Sequence, residues 1–226
     1  MKGVIALNKP IYTSELFECR TPYLSLLFSS CTHPWEILPK IKEYALKLIA
    51  ERLDGFEKLS DNVWVGKNVK IYPTATIEGP AIFGGGTEIR PGAFVRGSVI
   101  CGENCVIGNS TELKNCILLD KVQVPHYNYV GDSVLGNSAH MGAGAICSNF
   151  KADGKNIVVH SDKDYETGLR KFGAILGDGA DIGCGCVLNP GTIIGKNTSV
   201  YPLTAIRGVM PSDCIIKSAD CIVKRI

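Results

Sequence analysis

Residues 89–113 read Ile89-Arg-Pro-Gly-Ala-Phe-Val95-Arg-Gly-Ser-Val-Ile-Cys101-Gly-Glu-Asn-Cys-Val-Ile107-Gly-Asn-Ser-Thr-Glu-Leu113. An aliphatic or similar residue stands at every sixth position. Outward in both directions the series becomes Leu59, Val65, Ile71, Ile77, Phe83, Ile89, Val95, Cys101, Ile107, Leu113 and Leu119. Four residues after each comes a small or β-branched one: Val63, Val69, Ala75, Ala81, Thr87, Ala93, Val99, Cys105, Thr111 and Ile117, with Gln123 the exception. Leu135, Met141 and Cys147 form a second run. Leu176, Ile182, Leu188, Ile194, Val200 and Ile206 form a third, with Ala180, Cys186, Thr192, Thr198 and Thr204 at the small position.

A period of six matches neither a helix nor a long alternating strand. It matches a coil with flat faces, in which each hexad gives one short strand and one turn. The aliphatic residue fills the axis, and the small one lets the corner close. Glycine, asparagine and aspartate tolerate the positive φ of the turns. Stacked coils bury a continuous core, each supported by its neighbours. About twenty hexads give six to seven coils by this spacing.

The counts agree. The chain has 226 residues with 25 glycines, 45% apolar residues and a net charge of +2. That is too apolar for a disordered chain, and it lacks the basic footprint of a nucleic-acid binder. No stretch approaches the ~18 apolar residues of a membrane span. Met1–Pro10 lacks the plan of a secretory signal, so the expected location is the cytoplasm. The ten cysteines contain no C-x-x-C, and the closest pairs are Cys184/Cys186 and Cys101/Cys105. Cys101, Cys105, Cys147 and Cys186 fall on the inward lattice and read as space fillers rather than disulfide or zinc ligands.

Residues 1–58 lie off the lattice. Thr32 is the expected N-cap of an amphipathic helix carrying Ile37, Ile41, Tyr44, Ala45, Leu48, Ile49 and Leu53, stopped by Asp54-Gly55. A short extended piece is expected before it, and the helix is expected to cap the solenoid. Two segments break the period. Residues 120–129 shift its phase by four. Residues 148–175 are polar and carry Lys151, Lys155, Lys163, Arg170 and Lys171, which predicts a protruding loop or hairpin. Breaks of this kind commonly carry binding and catalytic groups. The organisation is thus an N-terminal extension (1–58), a β-solenoid (59–210) with the 148–175 insertion, and a C-terminal strand (211–226).

Of the four histidines, His33 reads as structural and His160 as solvated. His126, beside Tyr127, Asn128 and Tyr129 in the first break, is a candidate general base. The wider stretch carries Glu112-x-Lys114, His126-x-x-Tyr129-x-Gly131-Asp132, Met141-Gly-Ala-Gly-Ala and Asn149-Phe150-x-x-Asp153-Gly-Lys155. In order and spacing this is similar to the acetyltransferase half of the bifunctional bacterial enzyme that makes UDP-N-acetylglucosamine, a hexapeptide-repeat acyltransferase. The similarity spans most of residues 88–210.

That resemblance implies an all-β solenoid, a left-handed parallel β-helix with an N-terminal helical cap. It implies transfer of an acetyl group from acetyl-CoA to an amino sugar phosphate resembling glucosamine-1-phosphate, in a homotrimer with sites between subunits. It makes His126 the base. It places Lys114, Tyr129, Lys155 and His140 on the sugar phosphate, with either Arg96 or Arg90 on the phosphate; Arg96 is preferred because it lies one coil beneath Lys114. Asn149, Phe150 and Cys184 fall near the acyl donor. Glu112 and Asp132 are the nearby carboxylates that could orient His126 or bind turn amides. Departures from the family pattern are His140, Phe150 and Cys184 in place of asparagine, tyrosine and serine and a longer insertion, and no nucleotidyltransferase half is expected within residues 1–226. Two other readings stay open: a non-catalytic scaffold or sugar-nucleotide binder, and a metal hydratase like the γ-class carbonic anhydrases.

Overall fold

A computed structural model describes residues 9–218 and 220–225. The reading of Met1–Pro10 therefore falls outside the described residues up to residue 8. The hexads fold into a parallel β-helix with three flat faces. Face 1 stacks Val63–Val65, Ala81–Phe83, Val99–Cys101, residues 116–118, residues 133–135, Ala174–Leu176, Thr192–Ile194 and Val209–Met210. Face 2 runs from Thr76–Glu78 through Phe94–Arg96, residues 112–113, residues 129–130, Ile146–Cys147 and Val187–Leu188 to Ala205–Ile206. Face 3 runs from Lys70–Ile71 to Cys214–Ser218.

The inward lattice is the core. Phe83, Ile89, Val95, Cys101, Ile107, Leu113, Met141, Cys147, Leu176, Ile182, Leu188 and Ile194 are fully buried along the axis. Cys101, Cys105, Cys147 and Cys186 lie there as the spacing requires, joined by Cys116, and all ten cysteines are free thiols. Inward corner threonines donate to carbonyls of the next coil, as Thr111 Oγ1 does to Val124 O at 2.9 Å. Such bonds satisfy hydroxyls that burial would otherwise penalise.

Three lattice assignments need correction. Leu59 is half-exposed, because Glu57–Ser60 is an antiparallel hairpin strand outside the coil. Leu119 and Ile117 are buried, but on the outer side of face 1. The cause is the place of the phase break. Val95 pairs with Leu113, eighteen residues on, yet Val99 pairs with Cys116, only seventeen on. One residue is lost at the corner between faces 2 and 1. It is lost there again one coil later, where Cys116 pairs with Ser133. The shortened corners are Lys114-Asn115 and Gly131-Asp132, with Asn115 and Asp132 at φ 47° and 48°. Both residue types tolerate the left-handed region. The strands therefore run unbroken round the bend as Glu112–Leu118 and Tyr129–Leu135. The expected four-residue shift at 120–129 is instead two single contractions, at 114–115 and 131–132.

The insertion leaves from the same corner. Val134 pairs with Ile175, 41 residues on. It contains a hairpin, Val158–His160 with Asp164–Glu166. It does not protrude as a purely polar loop. Ile157, Val159 and Phe172 are buried, and Tyr165 packs edge-on against His33 and Trp35.

The N-terminal extension covers a side of the solenoid, not an end. Ile82, Ile100, Ile117, Val134, Ile175, Ile193 and Val209 project outward from face 1 in a single column. They are buried against Leu24, Leu27, Phe28, Trp35, Ile37, Leu38, Ile41 and Leu48. Full burial of one such side chain stabilises by roughly 1.5–3 kcal/mol, so the column anchors the cover strongly. The extension is also more helical than its sequence suggested. It comprises α1 (Thr13–Leu16), α2 (Pro22–Ser29), a tight 3₁₀ segment Pro34–Lys40 and α3 (Ile41–Glu51). His33, not Thr32, begins the 3₁₀ segment, and Pro39 is accommodated there, ahead of α3. At the far end the chain turns back, and Cys214–Ser218 pairs antiparallel with Cys221–Lys224. Ile222 then packs on the last interior residues. Among the described residues no helix is long and apolar enough to cross a membrane.

Candidate functional site

The shortened corner and the insertion concentrate chemistry on one edge of face 2. Phe94 pairs with Glu112 and Val95 with Leu113, so Arg96 and Lys114 are neighbours in register. Glu112 pairs with Tyr129 and Lys114 with Gly131 in the next coil. A strip of outward polar residues follows.

Arg96 Nη1 donates to Glu112 Oε1 at 2.6 Å. Lys114 Nζ lies 3.6 Å from Asp132 Oδ2. Asp132 is buried and accepts two further bonds, from Asn115 Nδ2 at 2.9 Å and from Asn149 Nδ2 at 2.5 Å. The same Asn149 amide donates to the Tyr129 hydroxyl at 3.2 Å. Burial, then the nearby Glu112 and Asp132 charges, push the Tyr129 hydroxyl above its ordinary pKa, so it stays a neutral donor. Asn115 also donates to Leu38 O at 3.3 Å, which ties the N-terminal cover to the network.

His126 ends the face 3 strand Gln123–His126, at the corner leading into Tyr129. It is exposed, and its imidazole makes no hydrogen bond among the described residues. Its backbone N–H donates to Asn128 Oδ1 at 3.1 Å, and Asn128 is buried. Asn109, in register with His126 on the adjacent strand, holds a buried Oδ1 with no partner. Gly108 and Gly142 permit the close coil spacing there. A Cβ on Gly108 would lie 1.6 Å from Pro125 O, and one on Gly142 would lie 2.7 Å from Cys184 N.

The sequence candidates are thus partly gathered and partly separated. Arg96, Lys114, Tyr129 and Asn149 come together on face 2. Arg90 does not join them. It follows the face 3 strand Glu88–Ile89 and pairs with Glu88 at 3.3 Å. His140 also lies on face 3, with Nδ1 2.8 Å from Asp181 Oδ1. Asn149 and Phe150 sit at the corner between faces 2 and 1. Cys184 is exposed beside Gly142 on the opposite edge of face 2, so these three do not form one cluster. Lys155 closes a tight turn with Asp153 Oδ1 accepting from its backbone N–H at 3.0 Å. Neither suggested carboxylate orients His126, since Glu112 takes Arg96 and Asp132 takes Asn115, Asn149 and Lys114. Among the described residues, no group of three or more His, Cys, Asp and Glu side chains is placed to hold a metal.

Sequence reasoning missed Asn115 and the central place of Asp132. Both depend on a one-residue contraction that only the strand register reveals. It also missed a cavity of about 460 Å³ between the N-terminal cover and the insertion. Leu38, Pro39, Asn115, Asp132, Phe150 and Gly168–Lys171 line it.

The family described as the GMPPB C-terminal domain matches residues 77–164. A bifunctional protein GlmU from Methanococcus aeolicus is 32% identical over 210 residues, covering 84% of this chain and 47% of the relative. The chain is a parallel β-helix of six-residue repeats, and in sequence it is similar to this bifunctional relative. It resembles the acetyltransferase half of GlmU. A bifunctional sugar-1-phosphate nucleotidylyltransferase/acetyltransferase from Sulfurisphaera tokodaii is also 32% identical, over 75% of this chain and 43% of its own length. The chain spans about half the length of these curated relatives. Among solved structures, a UDP-N-acetylglucosamine acyltransferase from Campylobacter jejuni overlaps 69% of this chain and 67% of its own at 14% identity, with a TM-score of 0.48.

Proposed function

We propose that this chain transfers an acetyl group from acetyl-CoA to the amine of an amino sugar phosphate, with His126 as general base. The observation that carries the reading is the placement of His126. It is exposed and unpaired at a corner, and the next residues of the chain lead directly onto the Tyr129–Lys114–Arg96 strip. The relative from Sulfurisphaera tokodaii, named as a nucleotidylyltransferase/acetyltransferase, supports the reaction class.

A thioester is already activated, so no covalent enzyme intermediate is needed. The neutral amine attacks the acetyl carbonyl carbon while His126 takes the amine proton. The tetrahedral oxyanion collapses and expels the CoA thiolate, which takes the proton back from the imidazolium. Backbone N–H groups at the strand corners supply the oxyanion with donors. Asn109 Oδ1 would accept one N–H from the imidazole or from the incoming amine, which would satisfy its buried acceptor.

Arg96 and Lys114 face the sugar phosphate, with Tyr129 as a neutral donor. Asn149 and Phe150, at the corner of the strip, lie toward the acyl donor, and Lys155 reaches the sugar from the insertion, whereas His140 and Cys184 stand apart from this group within one chain. A homotrimer would cover the apolar residues exposed on face 2 and its corner with face 3, namely Phe94, Tyr127, Ile146, Tyr201 and Leu203.

Thiol release from acetyl-CoA, measured with a panel of amino sugars and their phosphates, tests the reading. Release that depends on one phosphorylated amino sugar supports it. The absence of release with every amine in the panel contradicts it.

A further inference from the structure

The cations expected to meet the phosphate are already neutralised. Arg96 is bonded to Glu112, and Lys114 lies beside buried Asp132. The insertion carries a second set that is not. Among the described residues, no carboxylate lies within 4 Å of Lys155, Arg170 or Lys171.

Two of these three line the cavity between the cover and the insertion, and the third lies nearby in the insertion. Arg170 and Lys171 are the lining pair, and Arg170 lies 5.9 Å from the centre of the exposed Phe150 ring. Lys155 follows Gly154, where a Cβ would lie 3.8 Å from Arg170 Nη2 and 3.9 Å from Phe150. Among the described residues, the one carboxylate lining the cavity is Asp132, which is committed to Lys114 and two amides. The cavity is therefore net cationic.

We infer that this cavity binds the diphosphate of a substrate. Unpaired cations that converge on a concavity favour a multiply charged anion. The volume of about 460 Å³ falls within the range of ligand pockets, and it exceeds what one phosphate requires. The cavity adjoins the candidate site, since Asn115 and Asp132 belong to the network and also line the cavity. The Asn149 amide donates to both the Tyr129 hydroxyl and Asp132, so the polar strip and the cavity wall meet at this corner. A nucleoside-diphosphate-linked amino sugar carries its diphosphate beside the sugar that bears the amine, and CoA carries one on the arm that ends in the thioester. The inference deepens the proposed activity and relies on it for the ligand's reacting end.

Titration calorimetry on the full chain with UDP, CoA and inorganic pyrophosphate measures the anion site without any turnover. Wild type is expected to bind UDP, CoA or both. The paired substitution Arg170→Ala with Lys171→Ala is expected to weaken that binding at least tenfold. Loss with UDP assigns the diphosphate to the acceptor, and loss with CoA assigns it to the donor. Lys171 shares a strand bridge with Phe150, so Arg170→Gln with Lys171→Gln serves as a second pair. Thermal unfolding checks that each variant is folded. No binding of any probe by wild type at about 1 mM overturns the inference. So does unchanged affinity in both folded pairs, or a tenfold loss in Arg96→Ala alone. Thiol release is scored separately, so failure of the acetyltransferase reading leaves this result interpretable.

Discussion

Replacing Asp132 tests the corner on which the site is built. In Asp132→Ala, the amides of Asn115 and Asn149 lose a buried carboxylate acceptor, and Lys114 loses its partner. Hydrogen bonds to a charged group are worth roughly 1.5–3 kcal/mol each, so the two amides alone put the loss near 3 kcal/mol. Asp132 also sits at φ 48°. An alanine there adds about 1 kcal/mol of left-handed strain that aspartate tolerates better. The total is about 4 kcal/mol, which for a chain of this size lowers Tm by about 8–16 °C. Asp132→Gly removes the strain but not the hydrogen-bond loss, and should recover about 1 kcal/mol. Asp132→Asn keeps one carbonyl acceptor and the turn preference, so its loss should fall between zero and that of Asp132→Gly. Urea and thermal unfolding followed by circular dichroism measure all three. A loss below about 1 kcal/mol in Asp132→Ala would falsify the claim that this carboxylate holds the corner.

Gly108→Ala should abolish soluble folding, because its Cβ would fall 1.6 Å from the Pro125 carbonyl oxygen, and backbone cannot yield that far; soluble expression is the readout, and a normal yield contradicts the coil spacing. Ile117→Ala, at a fully buried site under the N-terminal cover, should cost about 2–5 kcal/mol in urea unfolding. Leu59→Ala, at a site 52% exposed, should stay within about 0.5 kcal/mol; a lattice that extended unbroken through Leu59 predicts the reverse. Burial raises the thiols of Cys19 to about 11 and of Cys105 and Cys147 to about 12. Between their ordinary value of 9 and those values the folded chain holds more protons than the unfolded one, so stability is complete below pH 9 and falls as pH rises. Tm should therefore drop from pH 8 to pH 10.5, and a flat profile counts against these buried thiols. At pH 8 a thiol reagent should label exposed Cys184 and Cys221 rapidly and the interior cysteines only after unfolding.

The solenoid was legible in the sequence because one residue in six must fill a narrow axis, and that constraint recurs at every coil. The interior from Phe83 to Leu113 and from Leu176 to Ile206 follows directly. The contraction at Lys114-Asn115 was not legible. One omitted residue between similar apolar neighbours leaves Leu118 and Leu119 equally good candidates for the axis. The column Ile82, Ile100, Ile117, Val134 was also hidden, since outward aliphatics on a β-helix signal a cover without saying which segment supplies it. Short motifs pointed to Lys114, Tyr129 and Asn149, which the fold brings together, and to His126 at the adjoining corner. Arg90 and Arg96 could not be separated by local sequence, and the strand register places them on different faces. The cations of the insertion looked like solvated charge, because the cavity they line exists only once the N-terminal cover folds against the solenoid.

The most direct test of the central claim is the rate of CoA release from acetyl-CoA by wild type and by His126→Ala at saturating amino sugar phosphate. Loss of a general base should lower kcat by about 10²–10⁴-fold, with KM for acetyl-CoA within about threefold and an unchanged Tm. Equal rates for the two proteins would contradict the assignment of His126 and the mechanism built on it.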